Sequence, residues 1–263
     1  MQISDVELAH RLADDATSAI EPLFRALPEV ENKAAEGFDP VTEADRAAEH
    51  AIRQRLAVER PEDGILGEEY PPLAGSSGRT WVLDPIDGTR AFMTGMPTWG
   101  VLIALAEAEG PTVGMMAQPF VGERFFADAE GVFHEWSRGR QPMRTRACRD
   151  LSEAVVACTS PDLFDEPMGT ALRALTRKTR LVRYGTDCYA YAMLAAGHVD
   201  IVLESGLKPF DIAPFVPIVE RAGGMLVDRR GERIGPTVMG EYGGDGIAVG
   251  DPHLLEAVLK EIP

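Results

Sequence analysis

The run Trp81-Val82-Leu83-Asp84-Pro85-Ile86-Asp87-Gly88-Thr89-Arg90 limits what this chain can be more than any other stretch. Trp81 and Val82 favour an extended backbone, and Pro85 and Gly88 favour a turn. The run therefore predicts a strand that stops at two carboxylates and a glycine. Proline fixes the backbone between Asp84 and Asp87. Two anionic groups held rigidly at a strand end are a poor way to stabilise a fold. They suit a hard cation such as Mg2+, which prefers carboxylate and carbonyl oxygen. The plainer reading is an Asp-Pro, Asp-Gly turn on the surface, and the string by itself leaves both readings open.

The 263 residues accommodate one large domain or two of about 150 residues. Ser4 and Glu7 predict a capping box, and Leu8, Leu12, Ala16, Ile20 and Leu23 give the first helix an apolar face. Pro22 kinks that helix or marks its last turns. The segment from Asn32 to Pro40 reads as a loop or an irregular hairpin. A second helix starts at Thr42 and runs to Arg60, with Asp45 in its first turn. Ile65 and Leu66 lead into Gly67-Glu68-Glu69, and residues 71–78 form a loop. Strands at 99–105, 113–117, 123–127 and 132–136 follow without helices between them, which points to an antiparallel or mixed sheet. His134 has no metal-spaced partner near it and reads as a strand residue.

The basic, irregular stretch 141–150 marks a boundary. It divides the chain into an N-terminal α+β domain, residues 1–145, and a C-terminal α/β domain, residues 146–263. In the second part strands at 154–158, 181–183, 200–204, 225–227 and 247–250 are interspersed with helices at 165–175, 188–196, 209–222 and 253–262. Proline at position 209 fits a first helical turn.

Acidic residues outnumber basic ones 42 to 26, a formal charge of −16. That balance argues against nucleic acid, whose phosphates need a basic stripe, and against an anionic membrane surface. A phosphorylated substrate would also be repelled unless divalent cations or a few well-placed Lys or Arg residues supplied positive charge. No apolar run reaches the ~18 residues of a membrane span, and the N-terminus lacks signal-peptide character, so the cytoplasm is the default. Three cysteines without CxxC spacing argue against a disulfide framework and a zinc site.

Four acidic stations stand out: Asp45, Glu68, the Asp84/Asp87 pair, and Asp211 in Lys208-Pro209-Phe210-Asp211-Ile212-Ala213. Each falls at a strand end or a helix start, where α/β folds place ligand sites. Taken singly, Asp45 and Asp211 are ordinary first-turn acids, and Glu68-Glu69 is an ordinary charged turn. In this order they form a signature. With Asp39-Pro-Val-Thr-Glu-Ala-Asp45, Gly67-Glu68-Glu69 and Trp81-Val-Leu-Asp84-Pro-Ile-Asp87-Gly88-Thr89, the chain resembles the inositol monophosphatase family of Mg2+-dependent, lithium-sensitive phosphatases. The likeness covers essentially the whole chain. Phe210 stands where that family usually has tryptophan. The Lys208-Pro209-aromatic-Asp211 form, with Asp187-Cys188-Tyr189-Ala190-Tyr191 upstream, looks like its histidinol-phosphatase branch.

The resemblance implies a layered αβαβα sandwich of the inositol monophosphatase and fructose-1,6-bisphosphatase type, and a homodimer. It implies two or three Mg2+ ions per site. Glu68, Asp84 and the Ile86 carbonyl would hold one ion, and Asp84, Asp87 and Asp211 a second. Ions ~3.5–4 Å apart clamp both oxygens of an in-line displacement and make hydroxide available. Asp45 and Thr89 resemble the family's proton-handling pair, with Glu68 also orienting water. Gly88 and Thr89 would offer backbone N–H groups to phosphate, and Lys33 and Glu69 are further candidates near the cluster.

Gly185, Thr186, Asp187 and Glu204 resemble the family's contacts to the leaving alcohol. Two carboxylates there suit a cationic alcohol such as L-histidinol, although Asp187 also reads as a helix cap. Tyr189 and Tyr191 either stack on an imidazole or pack. The reaction expected is hydrolysis of a small phosphorylated metabolite, L-histidinol phosphate, in histidine biosynthesis. The alternatives are an inositol-1-phosphate or broad sugar-phosphate phosphatase, and a metal-binding regulatory protein of the same fold.

Overall fold

The computed structural model describes residues 3–26, 30–32, 40–235, 237–240, 242 and 244–263. Helix α1 (Asp5–Ile20) begins at Ser4, whose Oγ accepts from the Glu7 N–H at 3.2 Å. The Glu7 carboxylate itself pairs with Arg11. Strands β1 (Val30–Asn32) and β2 (Pro40–Thr42) pair antiparallel, so the expected irregular hairpin is a hairpin at its ends. Lys33 lies outside the described residues. Helix α2 (Glu43–Glu59) follows.

Strand β3 (Gly64–Gly67) runs parallel to β4 (Thr80–Asp87). After the short helix α3 (Thr89–Met93) come β5 (Gly100–Glu107), β6 (Gly110–Gln118), β7 (Glu123–Asp128), β8 (Gly131–Trp136) and β9 (Gly139–Pro142). These seven strands form one mixed sheet in sequence order, antiparallel everywhere except β3/β4. Strand β9 occupies the start of the stretch expected to be irregular. Strand β4 carries on through both carboxylates, with a register shift against β5 between Asp84 and Asp87.

The second sheet contains β10 (Val155–Cys158), β11 (Leu181–Tyr184), β12 (Ile201–Glu204), β13 (Met225–Val227) and β14 (Gly246–Val249) in the order β11-β10-β12-β14-β13. Strands β11, β10 and β12 are parallel, and β14 is antiparallel to both of its neighbours. Helices α4 (Glu166–Lys178) and α5 (Tyr189–Ala195) lie between strands as expected. The single helix expected over 209–222 is instead two, α6 (Pro209–Ile212) and α7 (Phe215–Arg221). Pro214 and Pro217 have no N–H to donate to the carbonyls four residues back, so the ladder breaks there. The chain ends in α8 (Leu255–Leu259).

Strand alternation assigns the layers. In β4, Trp81 and Leu83 join the core under α1 and α2, whereas Val82 joins the core that holds α5 and α7. In β12, Val202 faces that same middle core, and Ile201 and Leu203 face the core under α4 and α8. The order is therefore α1/α2, seven-stranded sheet, α5/α7, five-stranded sheet, α4/α8. This is the αβαβα sandwich, and its middle layer is shared by both sheets. No helix among the described residues is long and apolar enough to cross a membrane.

The middle layer depends on a close approach at Gly114 on β6. A Cβ there would sit 2.0 Å from the Pro214 carbonyl oxygen at the α6–α7 junction. Backbone cannot yield as a flexible side chain can. Gly114→Ala should lower unfolding stability by about 1–3 kcal/mol, an overpacking cost measurable by urea denaturation. Because α6 carries Asp211, activity should fall further than stability alone explains.

Candidate active site

Asp84 and Asp87 lie beyond the last β3–β4 pair, Gly67 with Leu83. Asp84 is 2% exposed, and its Oδ1 accepts from the Ile86 N–H at 3.0 Å. Asp87 Oδ2 accepts from the Cys188 N–H at 2.9 Å, which ties the strand end to the start of α5. Asp211 stands in the first turn of α6, where its Oδ2 accepts from the Lys208 N–H at 2.7 Å. Oxygens of these three carboxylates all lie within 4.8 Å of one another.

Burial raises the pKa of all three, because the charged form loses its water. For Asp84 the fields of Glu68, Asp87, Asp211 and Asp45 add to burial. For Asp87 the carboxylates of Asp211 and Asp187 do so, opposed by the Cys188 N–H. Asp211 is pushed up to about 7, again mainly by burial, while the Lys208 N–H acts the other way. One buried and two half-buried carboxylates, with mutually repelling charges and oxygen-only donors, fit a hard divalent cation.

Glu68 acts on Asp84 and Asp211 through its field but stands outside the tight trio. Asp45 is buried in the first turn of α2. The Thr89 hydroxyl donates to the Ile86 carbonyl at 3.2 Å, so those two members of the expected set touch directly. Gly88 adopts φ 84°, and a Cβ on it would stand 3.1 Å from the Asp187 Cβ. Both facts require glycine there.

Sequence reasoning missed Glu49 on α2. It is wholly buried, accepts from the Glu69 N–H at 2.7 Å and pairs with Arg53 at 2.7 Å. A Cβ on Gly67 would lie 2.0 Å from its Oε1. Glu49 thus holds the Glu68-Glu69 turn from beneath. Its only sequence signal was the i,i+4 spacing with Arg53, which is common on exposed helices.

A cavity of about 280 Å³ opens beside the trio, and Asp87, Asp211, Asp187, Tyr191, Glu204 and Leu163 are among its walls. Asp187 does not cap α5. The N-cap is Cys188 without a side-chain bond, and the Asp187 carboxylate accepts from the Thr98 hydroxyl at 3.1 Å. Asp187 also adopts a left-handed φ of 43°, rare outside glycine, as does neighbouring Gly185 at 70°. Thr186 Oγ1 is buried without a partner among the described residues. Burial lifts the Asp187 pKa, and Thr98 opposes the shift. Glu204, 4% exposed, accepts at Oε1 from the Thr159 N–H at 2.6 Å and hydroxyl at 2.9 Å. Burial still pushes it up to about 8.

Tyr189 turns away from this cavity and donates to Glu123 at 2.8 Å. It packs edge-on to Phe125. His134 lies between Phe125 and Trp136, with Nε2 2.8 Å from the other Glu123 oxygen, as a packed strand residue.

A model described as the inositol monophosphatase family matches residues 3–262. By class the protein is a phosphoric monoester hydrolase. The chain belongs to the inositol monophosphatase family, whose members are typically Mg2+-dependent. A histidinol-phosphatase of Streptomyces coelicolor is 39% identical over 242 residues, 89% of this chain and 90% of that protein. A histidinol-phosphatase of Mycobacterium tuberculosis is 35% identical over 253 residues, 94% of each. A solved structure of an inositol monophosphatase from Zymomonas mobilis is 42% identical, with a TM-score of 0.85 over 98% of this chain and 97% of that one.

The raised carboxyls have a consequence for stability. Between pH 3.8, the ordinary aspartate value, and about 7, folded Asp211 keeps a proton that the unfolded chain has lost. Stability of the metal-free protein therefore falls as pH rises through that window. Thermal denaturation in chelator should show Tm dropping across it, and Asp211→Asn should flatten the drop. A Tm that rises there, unaltered by the substitution, would contradict the assignment.

Proposed function

We propose that this enzyme hydrolyses L-histidinol phosphate to L-histidinol and phosphate. The observation that carries this reading is that Asp187 and Glu204 line the same cavity as Asp87 and Asp211. L-Histidinol brings an amine and an imidazole, and a cation beside a buried carboxyl draws it toward the carboxylate. The names carried by the two histidinol-phosphatase relatives support the same reading.

Asp84, Asp87 and Asp211, with Glu68 and the Ile86 carbonyl, would hold Mg2+. Bound there, the metal supplies charge neutralisation for phosphoryl oxygens and a more acidic water. The chain's own groups do the rest. Gly88 and Thr89 offer backbone N–H groups to the phosphate at the start of α3. In the proposed reaction the Thr89 hydroxyl leaves the Ile86 carbonyl for Asp45, which draws on it, and orients the attacking water. Cys188 fixes Asp87 through its N–H. Asp187, anchored by Thr98, and Glu204, anchored by Thr159, grip the leaving group.

A second reading, inositol-1-phosphate hydrolysis, draws on the Zymomonas mobilis structure. It also draws on Glu204, since a carboxyl that keeps its proton up to about pH 8 can donate to a neutral hydroxyl.

The kcat/KM values for L-histidinol phosphate and myo-inositol 1-phosphate, measured side by side with Mg2+, separate the two. The first ester should win, and preference for the second would sink the substrate assignment alone. Asp187→Ala should raise KM for L-histidinol phosphate by about tenfold or more and barely move it for a neutral ester, as loss of a charged binding contact does. Asp87→Asn should keep the fold and lose turnover, seen as an unchanged circular dichroism spectrum with no phosphate release.

A further inference from the structure

Tyr191 is placed on α5, 3% exposed, and forms part of the wall of the cavity shared by Asp187, Glu204 and the carboxylate trio. Its ring stacks on Phe215 at 4.8 Å between centroids, 21° from parallel. That contact fixes the ring and needs no hydroxyl. The hydroxyl nevertheless lies in the interior with no hydrogen-bond partner among the described residues. The fold makes room for it: a Cβ on Gly246 of β14 would come within 2.7 Å of the phenol oxygen. Burial is the main influence on that phenol, and the fields of Glu204, Tyr242, Asp87 and Asp211 follow in that order. Tyr191 shares the lining of that cavity with Glu204, Asp87 and Asp211. A buried hydroxyl without a partner is disfavoured, and phenylalanine would pack as well without that cost. An unmet donor on the wall of a binding cavity, held in place by stacking and accommodated by a glycine, is what a ligand contact looks like before the ligand arrives.

We propose that Tyr191 is a specificity-determining residue, whose phenol O–H donates to a hydrogen-bond acceptor on the leaving alcohol of the phosphate ester. The proposal rests on the phosphatase reading of the cavity and deepens it by defining the substrate class: a leaving alcohol that carries an acceptor, such as a ring nitrogen or a hydroxyl, apart from the ester oxygen. An imidazole nitrogen meets that description, and so does a polyol. Sites built to hydrogen-bond a substrate group discriminate strongly against analogues that lack it.

The test is Tyr191→Phe, which removes one oxygen and keeps the stack. Thermal denaturation should show Tm unchanged or raised, because the unmet hydroxyl is gone. Turnover by wild type and variant is then compared on L-histidinol phosphate, myo-inositol 1-phosphate and phenyl phosphate, whose leaving group has no acceptor beyond the ester oxygen. The variant should lose about tenfold in kcat/KM on whichever of the first two esters the wild type prefers, and keep phenyl phosphate within about twofold. Calorimetric binding of the matching free alcohol should weaken by the same factor. Equal losses on all three esters, or no loss on any, would overturn the role of Tyr191. A wild-type preference for the inositol ester would overturn the histidinol reading and leave the Tyr191 proposal to be judged on that ester.

Discussion

The structure turns on the burial of like charges at one point. Asp84, Asp87 and Asp211 converge within 4.8 Å, one buried and two half-buried, and their charges raise the cost of ionising Asp84 and Asp87. Backbone N–H groups from Ile86, Cys188 and Lys208 hold the three carboxylates one by one. Those donors come from a strand bend, the start of α5 and the start of α6. The cluster therefore exists only when the middle helical layer is packed between the sheets. The fold assembles a cage of carboxyl oxygens ahead of any ligand, and a hard divalent cation is the natural complement to such a donor set.

The same geometry joins the cage to the leaving-group wall. Gly88 follows Asp87 directly, and Asp187 approaches it so closely that a Cβ on Gly88 would stand 3.1 Å from the Asp187 Cβ. Asp187 in turn takes a left-handed backbone conformation and is tethered to Thr98. A non-glycine residue in that region is strained, and such strain persists where surrounding structure over-determines it. Here the Cys188 N–H on Asp87 and the hydroxyl of Thr98 on Asp187 provide that constraint. One short segment, residues 185–191, thus serves both ends of the cavity.

Much of the layering could be read from the chain. The alternation in β4 and β12, the apolar face of α1 and the order of the four acidic motifs all carry local signatures. Pro214 and Pro217 carried enough information to divide the helix expected at 209–222, since each removes a backbone donor. Other features had no local mark. Glu49 resembles any helical glutamate paired with an arginine four residues on, until the fold sets it beneath the Glu68-Glu69 turn. Tyr189 and Tyr191 look equivalent in sequence, yet they face opposite ways, one to Glu123 and the other to the cavity.

The sequence alone determined which side chains alternate into which core, where helices begin, and which oxygen donors are available. These depend on neighbours within one helical turn or one strand pleat. The tertiary structure decided which donors meet, which carboxyls keep their protons and which tyrosine faces the cavity. Those outcomes depend on contacts such as Cys188 with Asp87, 101 residues apart, and on the exclusion of water from their surroundings. Neither is written in any local stretch of the chain, because both arise only when the layers close upon one another.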